Sequence, residues 1–300
     1  MATLSYDFFL PRSKAGRTFA DALGEFAALA TADRRLDCGT HYFDLVEVKQ
    51  HHGGTSTGLI QRNRMRHLPP SGDSRNGTLG RINLPGHLGV SDVAACLCDR
   101  RRNALCVQRS RYGISHATLR RLLNGAVGSD FVFVPILSEN AMTRLGHLQD
   151  HHKLTVKFAT PRSPDYYSNA GGGIGDVAKF MKRMAAMQVK VEVSPISKAD
   201  RLSPQGIKEI IAAAIGLGEE DDGFKLKALS VRGGNDDGEA EVVDFINARF
   251  KAQAELVETD ARHTDHEHLR TQIRAAYNEH GSYIQHYCDQ LGAAATSAGS

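Results

Sequence analysis

Val93-Ala94-Ala95-Cys96-Leu97 and Ala104-Leu105-Cys106-Val107 flank the tight basic stretch Asp99-Arg100-Arg101-Arg102-Asn103. Two short apolar runs joined by a polar turn read as a β-hairpin. After Gln108 to Gly113, a helix is expected from His116 to Leu123, with Leu119, Leu122 and Leu123 on one face and Asn124-Gly125 closing it. Phe131 to Leu137 reads as a strand, Ala141 to Gln149 as a short helix and Leu154 to Phe158 as another strand. The stretch from Leu88 to Thr160 is thus strand, basic turn, strand, helix, strand, helix, strand. Arg100, Arg101, Arg102, Arg109, Arg111, Arg120 and Arg121 crowd its front half. Planar guanidinium groups in that number point to phosphate rather than to a catalytic pocket.

Upstream, Leu4 to Leu10 alternates as a first strand and Thr18 to Leu29 has helical spacing at Phe19, Leu23, Phe26 and Ala30. His41 to Lys49, the turn His51-His52-Gly53-Gly54 and Gly58 to Arg64 form a second hairpin, with Arg62, Arg64 and Arg66 on its return. Pro69 to Gly80 is a loop rich in turn formers. Downstream, Pro161 to Asp165 reads as a linker, and Tyr166 to Gly173 leads to a helix over Ile174 to Met187. Val189 to Val193 is a strand, Ser203-Pro204 opens a helix to about Ile215, and Phe224 to Val231 is a strand. Val242 to Val257 fits one long helix or a short helix and a strand, and Thr264 to Tyr287 reads as a helix. The fold class is α+β, a mixed-sheet core domain plus a smaller α/β second domain. Residues 1–160 with 240–290 make the basic core, 161–239 the smaller mobile domain, and 291–300 a disordered tail.

Three hundred residues at 41% hydrophobic can bury one large core or two modest ones. Met1 to Leu10 lacks the features of a signal peptide and no run approaches a membrane span, so a cytoplasmic protein is expected. Cys38, Cys96, Cys98, Cys106 and Cys288 lack a second pair at ligand spacing and read as thiols of a reducing compartment. The net charge of +3 is unevenly spread: Met1 to Thr160 carries 21 basic against 13 acidic residues, the remainder 16 against 21. Seventeen of those 21 basic residues are arginine, which suits contact with nucleic acid.

Other constellations have two readings each. Asp37 with Glu47-Val48-Lys49 resembles the acidic pair and lysine of restriction-type nucleases, where two carboxylates hold Mg²⁺ and a lysine steadies the attacking water. An E-x-K triplet on an amphipathic strand also arises by chance. Gly171-Gly172-Gly173-Ile174-Gly175-Asp176 is a phosphate loop or, lacking the Walker lysine, a linker with Asp176 as helix cap. Histidines gather at His51-His52, at His151-His152 and in His263-Thr264-Asp265-His266-Glu267-His268. His263 and Glu267 have metal-ligand spacing, while Thr264 and Glu267 form a capping box.

The order of segments resembles a known family. Leu88-Gly89, the hairpin, Arg111-Tyr112-Gly113 before a leucine-bearing helix, Val134-Pro135-Ile136-Leu137 and Leu154-Thr155-Val156-Lys157-Phe158 are similar to the middle of the RexA-like superinfection-exclusion proteins. Gly175-Asp176-Val177, Phe224 to Val231 and Ala275-Ala276-Tyr277 follow in the same order. The resemblance implies a cytoplasmic homodimer that binds double-stranded DNA without strong sequence preference. It further implies a sensor of abortive infection that signals to a small membrane partner. It assigns no catalytic residue, and the loop Pro69 to Gly80 and the Arg100-Arg101-Arg102 tip are departures from it.

The expected function is therefore sequence-tolerant DNA binding in phage defence, through Arg62, Arg64, Arg66, Arg100, Arg101, Arg102, Arg109 and Arg111. No helix-turn-helix, zinc-finger or RNA-recognition signature supplies base readout, so the grip is on phosphate. No cofactor, metal ligand, catalytic residue or small-molecule substrate is expected. The alternatives are a Mg²⁺-dependent nuclease using Asp37, Glu47 and Lys49, and a protein-binding adaptor whose arginines meet acidic surface on a partner.

Overall fold

The hairpin forms as its sequence requires. β7 (Val90–Asp99) and β8 (Ala104–Gln108) are antiparallel, with Cys96 opposite Val107 and Asp99 opposite Ala104. Ala94 to Asp99 and Ala104 to Gln108 are buried, so these strands are covered on both faces, which is why they read as continuous rather than alternating apolar runs. The computed structural model describes residues 3–13, 15–68, 71–72, 79–85, 88–110, 114–148, 150–159, 188–197, 200–217, 225–234, 239–245, 248–255 and 265–297. The fold is α+β. The chain divides into two compact units, Met1–Tyr6, Pro11–Val132 and Ala252–Glu279 in the first, and Asp7–Leu10, Phe133–Lys251 and His280–Ser300 in the second.

In the first unit, β1 (Thr3–Arg12), β2 (Leu36–Asp37), β3 (His41–Gln50), β4 (Thr55–Arg64) and the hairpin join with β14 (Lys251–Glu255) in the order β14-β1-β8-β7-β4-β3-β2. β1 contributes to both units. The sheet is antiparallel rather than mixed, because its neighbours β3–β4 and β7–β8 are joined by tight turns that reverse the chain. A two-residue pairing of β5 (Ser71–Gly72) with β6 (Leu79–Gly80) crosses the expected Pro69 to Gly80 loop.

Among the described residues, three helices cover this sheet. α1 (Phe19–Ala28) starts at Thr18, whose hydroxyl accepts from the Asp21 N–H at 3.2 Å. Its Phe19, Ala22, Leu23 and Phe26 are buried at the spacing of one helical face. α2 (His116–Ala126) buries Leu119, Leu122 and Leu123, and runs past the Asn124-Gly125 stop expected for it. α5 (His266–Glu279) packs on β7, β8 and β4 and buries Leu269, Arg270, Ile273, Ala276 and Tyr277.

The second unit is built on a four-stranded sheet, ordered β11-β10-β12-β13, of β10 (Asp150–Ala159), β11 (Gln188–Val193), β12 (Lys225–Gly234) and β13 (Ala240–Asp244). α4 (Pro204–Leu217) packs on β12 and β10, and the Ser203 hydroxyl accepts from the Gly206 N–H at 3.3 Å as its expected cap. α3 (Glu139–His147) starts at Ser138, and β9 (Val132–Pro135) precedes it. Phe8, Phe250, Tyr283 and Tyr287 form a chain of ring contacts in this unit at 4.9, 5.0 and 6.2 Å.

Several expectations are corrected. The division falls at Val132/Phe133 rather than near Thr160, because β10 sits inside the second sheet, pairing with β11 and β12. Residues 240–251 and 280–290 go with the second unit. Within Val242 to Val257, residues 242–244 close β13 and Lys251–Glu255 forms β14, so the strand of the second alternative is there, while no helix lies among the described residues of this stretch. The single helix expected over Thr264 to Tyr287 is two, α5 and α6 (Gly281–Ser297), which meet at His280-Gly281. α6 also extends through most of the expected disordered tail, where Ala293-Ala294-Ala295 is strongly helix-forming. The linker Pro161 to Asp165, the glycine run Gly171 to Asp176 and the helix Ile174 to Met187 lie outside the described residues. No described helix is long and apolar enough to cross a membrane.

Candidate nucleic-acid interface

Thr55 on β4 lies opposite Asp99 on β7, so the β3–β4 turn and the β7–β8 turn lie side by side at one end of the sheet. The Arg100 N–H donates to the Gly54 carbonyl at 3.0 Å. Gly54 has φ +84°, and a Cβ built there would stand 3.5 Å from Arg101 Cγ, so the arginine stem lies across the glycine turn.

Asp99 organises the tip. Its carboxylate accepts from the Arg101 N–H at 2.8 Å, the Arg102 N–H at 3.3 Å, Arg102 Nη1 at 2.6 Å and the Tyr277 hydroxyl at 2.8 Å. Burial pushes the Asp99 carboxyl up, but the bonds from Tyr277, Arg102 and the two amides outweigh it and hold it below its ordinary value. Asn103, at φ +46°, closes the turn and donates to the Pro11 carbonyl at 2.8 Å. The three tip arginines therefore differ. Arg102 is committed to Asp99, while the Arg100 side chain is 69% exposed and among the described residues pairs with the half-exposed Asp21 at 3.3 Å. Arg101 is exposed, and its guanidinium has no ion pair or hydrogen bond among the described residues.

The other arginines named from sequence do not join them. Arg64 lies opposite His41 and Val90 and pairs with Asp92 at 2.9 Å, and Arg62 lies between Phe43 and Asp92. Arg64 is nine residues along β4 from Thr55, which at about 3.3 Å per residue is about 30 Å. Arg66 is exposed just beyond that far end, where its N–H donates to the Thr40 carbonyl. Arg109 is exposed after β8, at the end of that strand away from the tip. Arg111 lies outside the described residues. Of the seven described arginines, Arg100, Arg101 and Arg102 thus sit at the tip, Arg62, Arg64 and Arg66 toward the opposite end of the sheet, and Arg109 just past the end of the shorter β8, so they do not gather at one site.

Asp37 is also kept away from Glu47 and Lys49. Asp37 pairs with Tyr42, five residues before Glu47 on β3, so about 16 Å separates them along the strand. Glu47 sits in a bulge between Val46 and Lys49 with φ +50°, and its carboxylate takes Arg270 Nη2 at 2.8 Å and faces His266 Nδ1 at 3.5 Å. The Arg270 bond holds the Glu47 carboxyl below its ordinary value. Lys49 pairs with Glu267, and Arg270, with its side chain 1% exposed, reaches Glu267 at 3.3 Å and Thr57 at 3.4 Å. Glu267 therefore faces cations from β3 and α5. The α5 cap comes from Asp265, whose carboxylate accepts from the Glu267 N–H at 2.9 Å; Thr264 and His263 lie outside the described residues. Cys96, Cys98 and Cys106 are buried free thiols, and burial pushes Cys96 up to about 12.

Sequence reading missed what α5 brings to this end. Arg274 with Gln50, His51 and His52 lines an open cleft of about 450 Å³ beside the β3–β4 turn. The doubled histidine was visible, but nothing local to it signals a helix more than two hundred residues later. No curated protein and no solved structure matches the chain. One family profile matches residues 26–287, and the chain accordingly belongs to DUF6731, a family of unknown function.

Proposed function

We propose that the protein binds double-stranded DNA without strong sequence preference, gripping phosphate at the end of the sheet where the two turns meet. The observation that carries this reading is the hairpin tip. Asp99 fixes its backbone and uses up Arg102, which leaves Arg100 and Arg101 displayed on a rigid turn with one weak carboxylate contact between them. An exposed guanidinium whose backbone is already fixed and which holds no strong salt bridge meets a phosphate with little to break. The absence of any groove-reading motif in the sequence fits backbone contact without base readout. The arginine-rich front half adds a long-range attraction of the same sign. Arg62, Arg64 and Arg66, at and beyond the other end of β4, form a second basic group that would take part only with a longer duplex or a second copy of the chain.

The likeness to superinfection-exclusion proteins supplies the setting. In this reading the chain is a homodimeric DNA sensor of phage defence that passes its signal to a membrane effector. The experiment is a gel-shift titration with an unrelated linear duplex, with and without Mg²⁺, on wild type and on Arg100→Ala/Arg101→Ala. A shift that survives without Mg²⁺, leaves the DNA intact and weakens in the double variant supports the proposal. No shift at low salt sinks it, and Mg²⁺-dependent cutting lost in Glu47→Ala would put the nuclease in its place.

A further inference from the structure

The cleft beside the tip is not used by the DNA reading. Its walls are Gln50, His51 and His52 from the β3–β4 turn and Arg274 from the middle of α5. Arg274 and His52 are exposed, and neither side chain has an ion pair or hydrogen bond among the described residues. Two carboxylates near the cleft are already engaged, Glu267 by Lys49 and Glu47 by Arg270 and His266. Arg270 lies one helical turn before Arg274, its side chain 1% exposed, and hydrogen-bonds Thr57. His51 Nε2 shares a 2.8 Å hydrogen bond with the same threonine, which anchors the imidazole in the cleft wall.

We propose that this cleft binds a phosphate monoester, with Arg274 as the guanidinium clamp and His51, His52 and Gln50 as further donors. A guanidinium pairs two phosphate oxygens at once, and a monoester carries close to two negative charges where an internal phosphodiester carries one. The field in the cleft favours the second charge. His51 is held below its ordinary pKa first by burial and then by Arg274 and Arg270, with Lys49 adding to them and Glu267 alone opposing. At about 450 Å³ the space exceeds a bare phosphate and falls among small-ligand clefts, roughly 300–1,000 Å³. The room left over fits a nucleoside. The monoester belongs to a free nucleotide or to the 5′ end of a DNA strand, and the site stands whether or not Arg100 and Arg101 grip duplex DNA.

The test is calorimetric titration with adenosine 5′-monophosphate, and with adenosine as the uncharged control, on wild type, Arg274→Gln and Arg274→Lys. A matching short duplex with either 5′-phosphate or 5′-hydroxyl ends forms the second arm, and thermal melts confirm that each variant is folded. The expected result is saturable binding of the monophosphate or a preference for the phosphorylated duplex. Arg274→Gln weakens either by about tenfold or more and Arg274→Lys partly restores it. Preference for the phosphorylated duplex assigns the site to DNA ends, and binding of the monophosphate with equal affinity for both duplexes assigns it to a free nucleotide. Neither binding nor preference, or an Arg274→Gln response equal to wild type, overturns the proposal. Arg100→Ala/Arg101→Ala keeps the two readings separate, since it lowers affinity for both duplexes alike and leaves the monophosphate untouched.

Discussion

Glu47 is the residue where backbone and charge meet most sharply. It holds φ +50° in a strand bulge, a conformation that costs a non-glycine residue of order 1–3 kcal/mol, and its carboxylate is taken by the buried guanidinium of Arg270. Removing that carboxylate leaves Arg270 with Glu267 at 3.3 Å and the Thr57 hydroxyl at 3.4 Å among the described residues. Glu47 is about half exposed, so solvent screening sets the loss for Glu47→Gln at the low end for a charged hydrogen bond, about 1 kcal/mol in urea unfolding at neutral pH. Because its folded pKa is depressed, this stabilisation is present above the ordinary value of 4.5 and is lost as pH falls through the lower folded value. The Glu47→Gln chain should therefore lose less stability on acidification than wild type does. Asp99 is 1% exposed and serves four donors, so Asp99→Ala should cost roughly 3 kcal/mol, whereas Tyr277→Phe, which takes away one of those donors and the hydroxyl's contact with Arg102, should cost about 1 kcal/mol. Equal effects of the two changes in thermal melts would refute the view that Asp99 is the organiser of the tip. None of this could be read from the sequence, because Glu47 and Arg270 are 223 residues apart and Asp99 and Tyr277 are 178 apart.

Among the elements, β4 shows how closely the sheet is built. A Cβ at Gly58 would stand 2.8 Å from Leu45 Cδ1 and 3.3 Å from Cys96 Sγ, so Gly58→Ala forces buried neighbours apart and should cost about 1–3 kcal/mol. Gly24, exposed in the middle of α1, has nothing within 4 Å of a built Cβ, and Gly24→Ala should stabilise by about 0.5–1 kcal/mol. Opposite signs for the two changes in the same unfolding assay are the expected outcome. The hairpins β3–β4 and β7–β8 and the helices α1 to α4 were legible because pattern, caps and turn residues agree locally. The region from 240 to the C-terminus was not. β13 and β14 are short, with a mixed pattern that helix periodicity fits by chance, and the break between α5 and α6 falls at His280-Gly281 without a proline to mark it. The arginines of the candidate site were legible as residues, but the separation of Arg62 and Arg64 from the tip follows from a strand register that no local signal carries.

For the whole molecule, the charge imbalance between the front 160 residues and the rest is the property that the DNA reading turns into an observable. Phosphate contact releases counterions, so affinity must fall steeply with salt, with a log–log slope of about −0.9 per phosphate neutralised. The residues that would be spent are Arg100 and Arg101, because Arg102 and Arg64 are engaged by Asp99 and Asp92. The most direct measurement is fluorescence anisotropy of a labelled, unrelated duplex across a salt series, on wild type and on Arg100→Ala/Arg101→Ala. The prediction is a steep negative slope for wild type that becomes shallower by about 1.8 in the double variant. A flat salt response, or a double variant with wild-type slope and affinity, would contradict the assignment of phosphate contact to the hairpin tip.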